Sequence, residues 1–282
     1  MDIGGLHMEW LEMGEGPLAI CVHGFPDSAY TWRHLLPELA AAGFRAVAPW
    51  TRGYFPTAVA SDGFYEVGAR ARDMCRLHEA LGGDGDAVII GHDFGAGAAR
   101  VAAVREPDRW SKVVSMSVPP GERMAKALMG YEQLRRSSYM FVFQQSFSER
   151  VVPNDDYAFI RGLWADWSPG FDGTQDIGHF IDAVQPDGHL VAALSYYRAS
   201  FQAEYRSSEL AEWSAARHTI PKQPMLYLHG RNDGCIGAET AEGVVDDLAP
   251  GSDAVIFDDL GHFLHLEDPA LVNQTIVSFV GQ

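Results

Sequence analysis

Short, largely apolar runs alternate along this chain with longer stretches of helical periodicity. Residues 18–22, 44–49, 86–91, 112–118, 224–230 and 254–257 have the pattern of strands buried on both faces of a parallel sheet. Residues 6–13 read as a further, first strand ended by Gly14-Glu15-Gly16-Pro17. Between the runs, residues 31–42 predict an amphipathic helix ended by Gly43, and 66–81 a helix stopped by Gly82-Gly83. Residues 94–104 form a small-residue helix, 238–248 another, and a closing helix begins at Pro269. Strands alternating with helices imply right-handed crossovers and an α/β fold whose ligand site lies at the carboxyl ends of the strands.

The rhythm breaks at Pro119-Pro120-Gly121. From there to Thr219 the pattern is helical without a buried strand. We therefore expect a core domain made of residues 1–118 and 220–282, and a helical cap of residues 119–219 inserted into it. The cap holds half of the chain's Trp, Tyr and Phe residues in about a third of its length, so it would cover the site with an apolar surface.

Composition narrows the possibilities. The 282 residues can bury one sizeable core, and a hydrophobic content of 47% with 21% charged residues is that of a globular protein. A net charge of -17 repels nucleic acid and anionic membrane surfaces and disfavours anionic substrates. No apolar run approaches the roughly 18 residues of a membrane span, and no signal peptide opens the chain, so a cytoplasmic location is expected. Cys21, Cys75 and Cys235 lack metal-type spacing and read as free thiols.

The chemistry centres on Gly91-His92-Asp93-Phe94-Gly95. A buried strand passing into a helix within one residue demands a sharp, strained turn, and glycines two positions either side of Asp93 leave room for it. The side chain at the apex is thereby presented above the sheet edge. With an ordinary pKa of about 3.9, an aspartate there is ionised and nucleophilic without a base to activate it. It attacks an sp³ carbon bearing a leaving group and forms an ester that water must later cleave. No serine occupies the apex, which excludes a serine esterase.

Asp233 and His262 follow two later strands, so the chain order is nucleophile, acid, histidine. His265 is a neighbouring base candidate that we expect to pack against the last helix. His262-x-x-His265 has no third ligand at suitable spacing, so no metal is expected.

With these residues in view, the chain resembles the α/β-hydrolase-fold epoxide hydrolases over nearly its full length. His23-Gly24-Phe25-Pro26 matches their H-G-x-P loop, Gly91-x-Asp93-x-Gly95 their elbow, and Gly230-Arg231-Asn232-Asp233 with Gly261-His262 the rest of the triad. The resemblance implies an oxyanion hole from the backbone N–H groups of Phe25 and Phe94. It also implies two cap tyrosines that polarise the epoxide oxygen. Tyr139, ahead of Phe143-Gln144, and Tyr197, directly before Arg198, stand in those contexts, with Tyr196 as the alternative for the second. His23, Pro26, Phe141, Trp164 and Trp167 are expected to contact an apolar or aryl-substituted substrate. The implied partners are a small epoxide and water, with no cofactor.

Two rivals share the core motifs. Haloalkane and haloacid dehalogenases use the same nucleophile, but Phe94 supplies neither the Trp N–H nor the Arg that their relatives place after it. A non-catalytic binding protein of this fold has no need of Asp93, Asp233 and His262 together. The family commonly has a further glycine where Arg52-Gly53-Tyr54 is followed by Phe55, which sets this loop apart.

Overall fold

The computed structural model describes residues 1–281. A seven-stranded sheet of order β1-β3-β2-β4-β5-β6-β7 forms its centre. The strands are β1 (Trp10–Met13), β2 (Leu18–Val22), β3 (Arg45–Pro49), β4 (Val88–His92), β5 (Lys112–Met116), β6 (Met225–Gly230) and β7 (Asp253–Phe257). Only the β1/β3 pair is antiparallel. Every residue of β2, β4 and β6 is buried, as their unbroken apolar runs require.

Helices α1 (Leu35–Ala41), α2 (Val67–Ala80) and α3 (Phe94–Arg105) connect the first strands. Between β5 and β6 lie only helices: α4 (Arg123–Ala127), α5 (Tyr131–Arg136), α6 (Tyr139–Val142), α7 (Ser148–Val151), α8 (Asn154–Trp167), α9 (Thr174–Val184), α10 (His189–Phe201) and α11 (Ala211–Ala215), with short 3-10 turns after α10. Helices α12 (Leu264–Glu267) and α13 (Pro269–Val280) end the chain. Among the described residues no helix is long and apolar enough to cross a membrane.

Three sequence expectations need correction. The first strand is confined to Trp10–Met13, because its partner β3 ends at Pro49, opposite Trp10. The helix expected over 31–42 begins instead as a 3-10 segment, Ala29–His34, and becomes α-helical only at Leu35. Pro37 explains this, since it has no N–H for the Arg33 carbonyl and its ring crowds that carbonyl. The helix expected over 238–248 is two 3-10 turns, Ala238–Thr240 and Val244–Asp247, separated by Gly243 at φ 64°. A left-handed residue there ends any helical run.

Strand order sets the place of the site. From β2 the chain moves outward to β3 and then returns to β4 on the other side of β2, so the crevice at the carboxyl ends of β2 and β4 is a topological switch point. His23–Pro26 and Asp93 emerge there together.

Candidate active site

Asp93 links β4 to α3 with φ 52° and ψ −119°, a strained conformation for a residue with a side chain. Packing enforces it. A methyl group on Gly91 would collide with the Gly95 carbonyl, and one on Gly95 with the Val22 carbonyl. Gly24 is equally constrained, because a Cβ there would strike the Asp93 carboxylate. The elbow therefore sits directly against the loop that follows β2.

That contact orients the nucleophile. The Phe25 N–H donates to Asp93 Oδ1 at 2.9 Å, and the Phe94 N–H also bears on the carboxylate. Oδ2 is left facing His262, whose Nε2 stands 3.9 Å away with no hydrogen-bond partner of its own. Nδ1 of His262 lies 2.8 Å from Asp233 Oδ2. Asp233 Oδ1 in turn accepts the backbone N–H groups of Cys235 and Ile236, both at 2.8 Å. The acid is thus held by two N–H donors, and the imidazole proton is directed to Nδ1.

Burial raises the Asp93 pKa above the ordinary value, against the lowering effects of His262, the Phe25 and Phe94 N–H groups and Arg70. For His262 burial pulls downward, but Asp233 and then Asp93 outweigh it, and the net shift is upward. Part of the proton affinity of His262 therefore depends on the negative charge of Asp93.

The tyrosines reach the site from the helical insert. Tyr139 on α6 and Tyr197 on α10 are buried, with ring centroids 5.5 Å apart and nearly perpendicular. Tyr197 also packs edge-on against Phe25 at 5.1 Å and Phe94 at 4.7 Å. Burial holds both phenols neutral, with pKa values well above 10.0. Their environments differ: the Tyr139 hydroxyl contacts Cys235 Sγ at 3.4 Å, whereas the Tyr197 hydroxyl has no partner. Tyr196, the alternative, is committed elsewhere, donating to the Arg52 carbonyl at 2.8 Å and lying 3.0 Å from Thr51 Oγ1. Arg198 Nε donates to the Phe143 carbonyl at 3.1 Å and Gln144 Nε2 to the Tyr197 carbonyl at 3.1 Å, so residues flanking each tyrosine lace the two segments together.

The remaining expected contacts divide. Trp167 packs edge-on against His262 at 5.1 Å and against Tyr139 at 5.0 Å, within the site. Trp164 stacks on Phe263 at 3.5 Å and donates its indole N–H to the Pro26 carbonyl, so it braces the loop from behind. Phe141 is not brought in. It is 47% exposed and packs on Phe201, because on the one-turn helix α6 it faces opposite to Tyr139 and Phe143. Nor is His23 available to a substrate: Nδ1 donates to the Gly24 carbonyl at 2.9 Å and Nε2 accepts the Thr51 N–H at 3.0 Å. Burial lowers its pKa to about 4, so it is a neutral buttress. His265 stacks on Trp32 at 4.9 Å, with Nε2 2.6 Å from Thr31 Oγ1.

Two clusters bring three possible metal-ligating atoms within 4.8 Å of one another, Asp233 with Cys235 and His262, and Asp27 with His92 and His265. His262 and His265 fall in different clusters, so their spacing in sequence does not make a shared site. In the first, Asp233 is already engaged by His262 and two N–H groups.

Several residues went unread in the sequence. Tyr54 is buried near Tyr196, its hydroxyl unpartnered. Phe180 faces Phe25 at 5.4 Å, the same distance as Phe143, which the sequence did offer. Arg70 is buried on the inner face of α2, in register with Val67, Met74 and Leu77. An arginine in an apolar stripe was a visible signal. A groove of about 470 Å³ lies beside Tyr139 and Trp167, walled by Val142, Phe159 and Leu163 together with Arg135, Arg136 and Asp166.

Residues 17–160 match the family model of the alpha/beta hydrolase fold. An epoxide hydrolase of Caballeronia sordidicola is 30% identical, with 98% of this chain and 91% of that protein aligned. Among solved structures, an epoxide hydrolase from an endophytic Streptomyces superposes with a TM-score of 0.78 at 27% identity, covering 97% of this chain and 91% of that one. The Bacillus megaterium epoxide hydrolase in complex with an inhibitor superposes with a TM-score of 0.85, covering 100% and 99%; at 24% identity this likeness speaks for the fold.

Proposed function

Because the chain belongs to the α/β-hydrolase fold family, and within it to the epoxide hydrolases, we propose that Asp93, His262, Asp233, Tyr139 and Tyr197 carry out the hydrolysis of an epoxide to a vicinal diol. The observation that supports this assignment is a buried, neutral phenol, Tyr197, packed edge-on against Phe25 and Phe94, the two residues whose N–H groups bear on a carboxylate with two differently surrounded oxygens.

Asp93 Oδ2 attacks one oxirane carbon while the two phenols donate to the oxygen that departs from it. The product of this step is an ester whose carbonyl oxygen, Oδ1, already lies against the Phe25 and Phe94 N–H groups. These donors stabilise the oxyanion that forms when water adds to the carboxyl carbon. His262 removes the proton from that water, and Asp233 stabilises the imidazolium. Esterification also discharges Asp93, which removes one of the influences that raise the His262 pKa and so readies it to act as a base. The hydrolytic step accordingly slows as pH falls through the His262 pKa in the ester, since the imidazole must be neutral to accept a proton.

The Phe94 side chain has no N–H to hold a departing halide, and the Trp164 indole N–H is spent on the Pro26 carbonyl. The aromatic walls, Phe25, Phe94, Phe143 and Trp167, favour an apolar or aryl-substituted epoxide, which the groove beside Tyr139 would admit. The insert between β5 and β6 then acts as a cap that delivers both phenols. Three buried free thiols suit a reducing compartment such as the cytoplasm.

Intact mass spectrometry of His262→Gln after exposure to an aryl epoxide tests the scheme. We expect a stoichiometric adduct equal to the epoxide mass, mapped to Asp93, and diol without halide from the unaltered enzyme. Halide release from bromoalkanes without diol formation, or no adduct with any of a panel of epoxides, would refute it.

A further inference from the structure

Arg70 is a cation buried without a carboxylate partner within ion-pair distance among the described residues. Its guanidinium carbon lies 4.6 Å above the Phe94 ring and 4.7 Å from the Tyr196 ring, and one terminal nitrogen donates to the Phe94 carbonyl at 3.0 Å. Its Nε has no partner. The other buried arginines are accounted for: Arg52 is paired bidentately with Asp73, at 2.6 and 2.9 Å, and Arg198 with Glu149 at 2.8 Å. Arg100 also lacks a carboxylate, but it hydrogen-bonds Ser115 and the Val118 carbonyl and no anion acts on it. A buried charge so poorly matched costs stability unless something offsets it, and two aromatic faces and one carbonyl offset only part.

We infer that Arg70 is a positioning residue for the epoxide-opening reaction, fixing the peptide that follows the nucleophile and setting a permanent positive charge behind it. This rests on the assignment of Asp93 as nucleophile. Two physical effects combine. The hydrogen bond to the Phe94 carbonyl pins the first turn of α3, and with it the Phe94 N–H that bears on the carboxylate. The charge, in surroundings of low dielectric, favours the anionic form of Asp93 and later the oxyanion on its ester.

The groups facing Asp93 are His262 from the loop after β7, Arg70 from α2, the Phe25 and Phe94 N–H groups, and the neutral Tyr54, Tyr139, Tyr197 and Cys235. Arg70 itself is faced by Tyr196, Asp93, Tyr54 and Arg52. Within these sets His262 and Arg70 are the cations acting on Asp93, and only Arg70 stays charged throughout the pH range of the reaction.

The test is the pH dependence of alkylation, followed as Asp93 adduct formation in the His262→Gln background, with Arg70→Met, Arg70→Gln and Arg70→Lys compared. Loss of the charge raises the Asp93 pKa, so in Arg70→Met and Arg70→Gln the acidic limb should move upward, and Arg70→Lys should restore it. A purely structural role would lower the melting temperature and leave the limb where it is. Arg70→Met removes an unmatched buried charge and should fold with stability equal to or above the parent. If the limb is unmoved in Met and Gln, or if Arg70→Met melts lower with an unshifted limb, the inference fails. If the His262→Gln parent forms no adduct at all, it is instead the assignment of Asp93 that fails.

Discussion

At the residue scale, the two tyrosines are chemically alike and structurally unequal. Tyr197 buries a hydroxyl that the folded protein does not satisfy, at a cost to stability that a bound epoxide oxygen would recover. Tyr139 hands its hydroxyl to Cys235. Tyr197→Phe should therefore leave thermal stability unchanged or raised while slowing alkylation by about a hundredfold. Tyr139→Phe should lower stability slightly and also slow alkylation. Calorimetric melting together with rapid-quench adduct formation checks both, and a Tyr197→Phe enzyme that alkylates at the parental rate would remove Tyr197 from the chemistry. His23 shows the opposite outcome, a residue whose motif pointed to the substrate and whose two ring nitrogens are instead consumed in bracing its own loop.

At the scale of elements, the site depends on the ends of β2 and β4 meeting with almost no free space. Gly95 lies so close to the end of β2 that any side chain would overlap the Val22 carbonyl. Gly95→Ala should destabilise the fold by about 3 kcal/mol, from forced separation of α3 and β2. It should also abolish alkylation, because the Phe25 N–H would leave Asp93 Oδ1. Chemical denaturation and adduct formation measure the two effects, and a stable, active Gly95→Ala enzyme would mean that the elbow tolerates looser packing than the structure indicates. The insert contributes differently. Helices α6 and α10 are joined by Arg198 and Gln144 through backbone carbonyls, so the spacing of the two phenols is set within the insert.

At the scale of the whole molecule, a net charge of -17 surrounds a site lined with aromatic rings. The field should not affect a neutral epoxide but should retard an anionic one. We expect kcat/KM for an epoxy carboxylate to rise as ionic strength increases from about 10 mM to 200 mM, with no change for styrene oxide. Equal salt dependence for both would contradict this. The sequence alone determined the order of strands and helices, the helical character of the insert and the trio Asp93, Asp233 and His262, because glycine turns, apolar periodicity and motif spacing are local properties of the chain. What only the tertiary structure decided depends on contacts between distant segments. Pro37 and Gly243 reshaped elements whose periodicity read as continuous helix. The turn of α6 sent Phe141 to the surface and Phe143 inward. Thr51, nearly thirty residues away, claimed His23, and Arg52 claimed Tyr196. Arg70, an exception within an apolar stripe, acquired its meaning only when folding placed it behind Phe94 with no carboxylate to match it, since an unpaired charge can be recognised only once every neighbour is known.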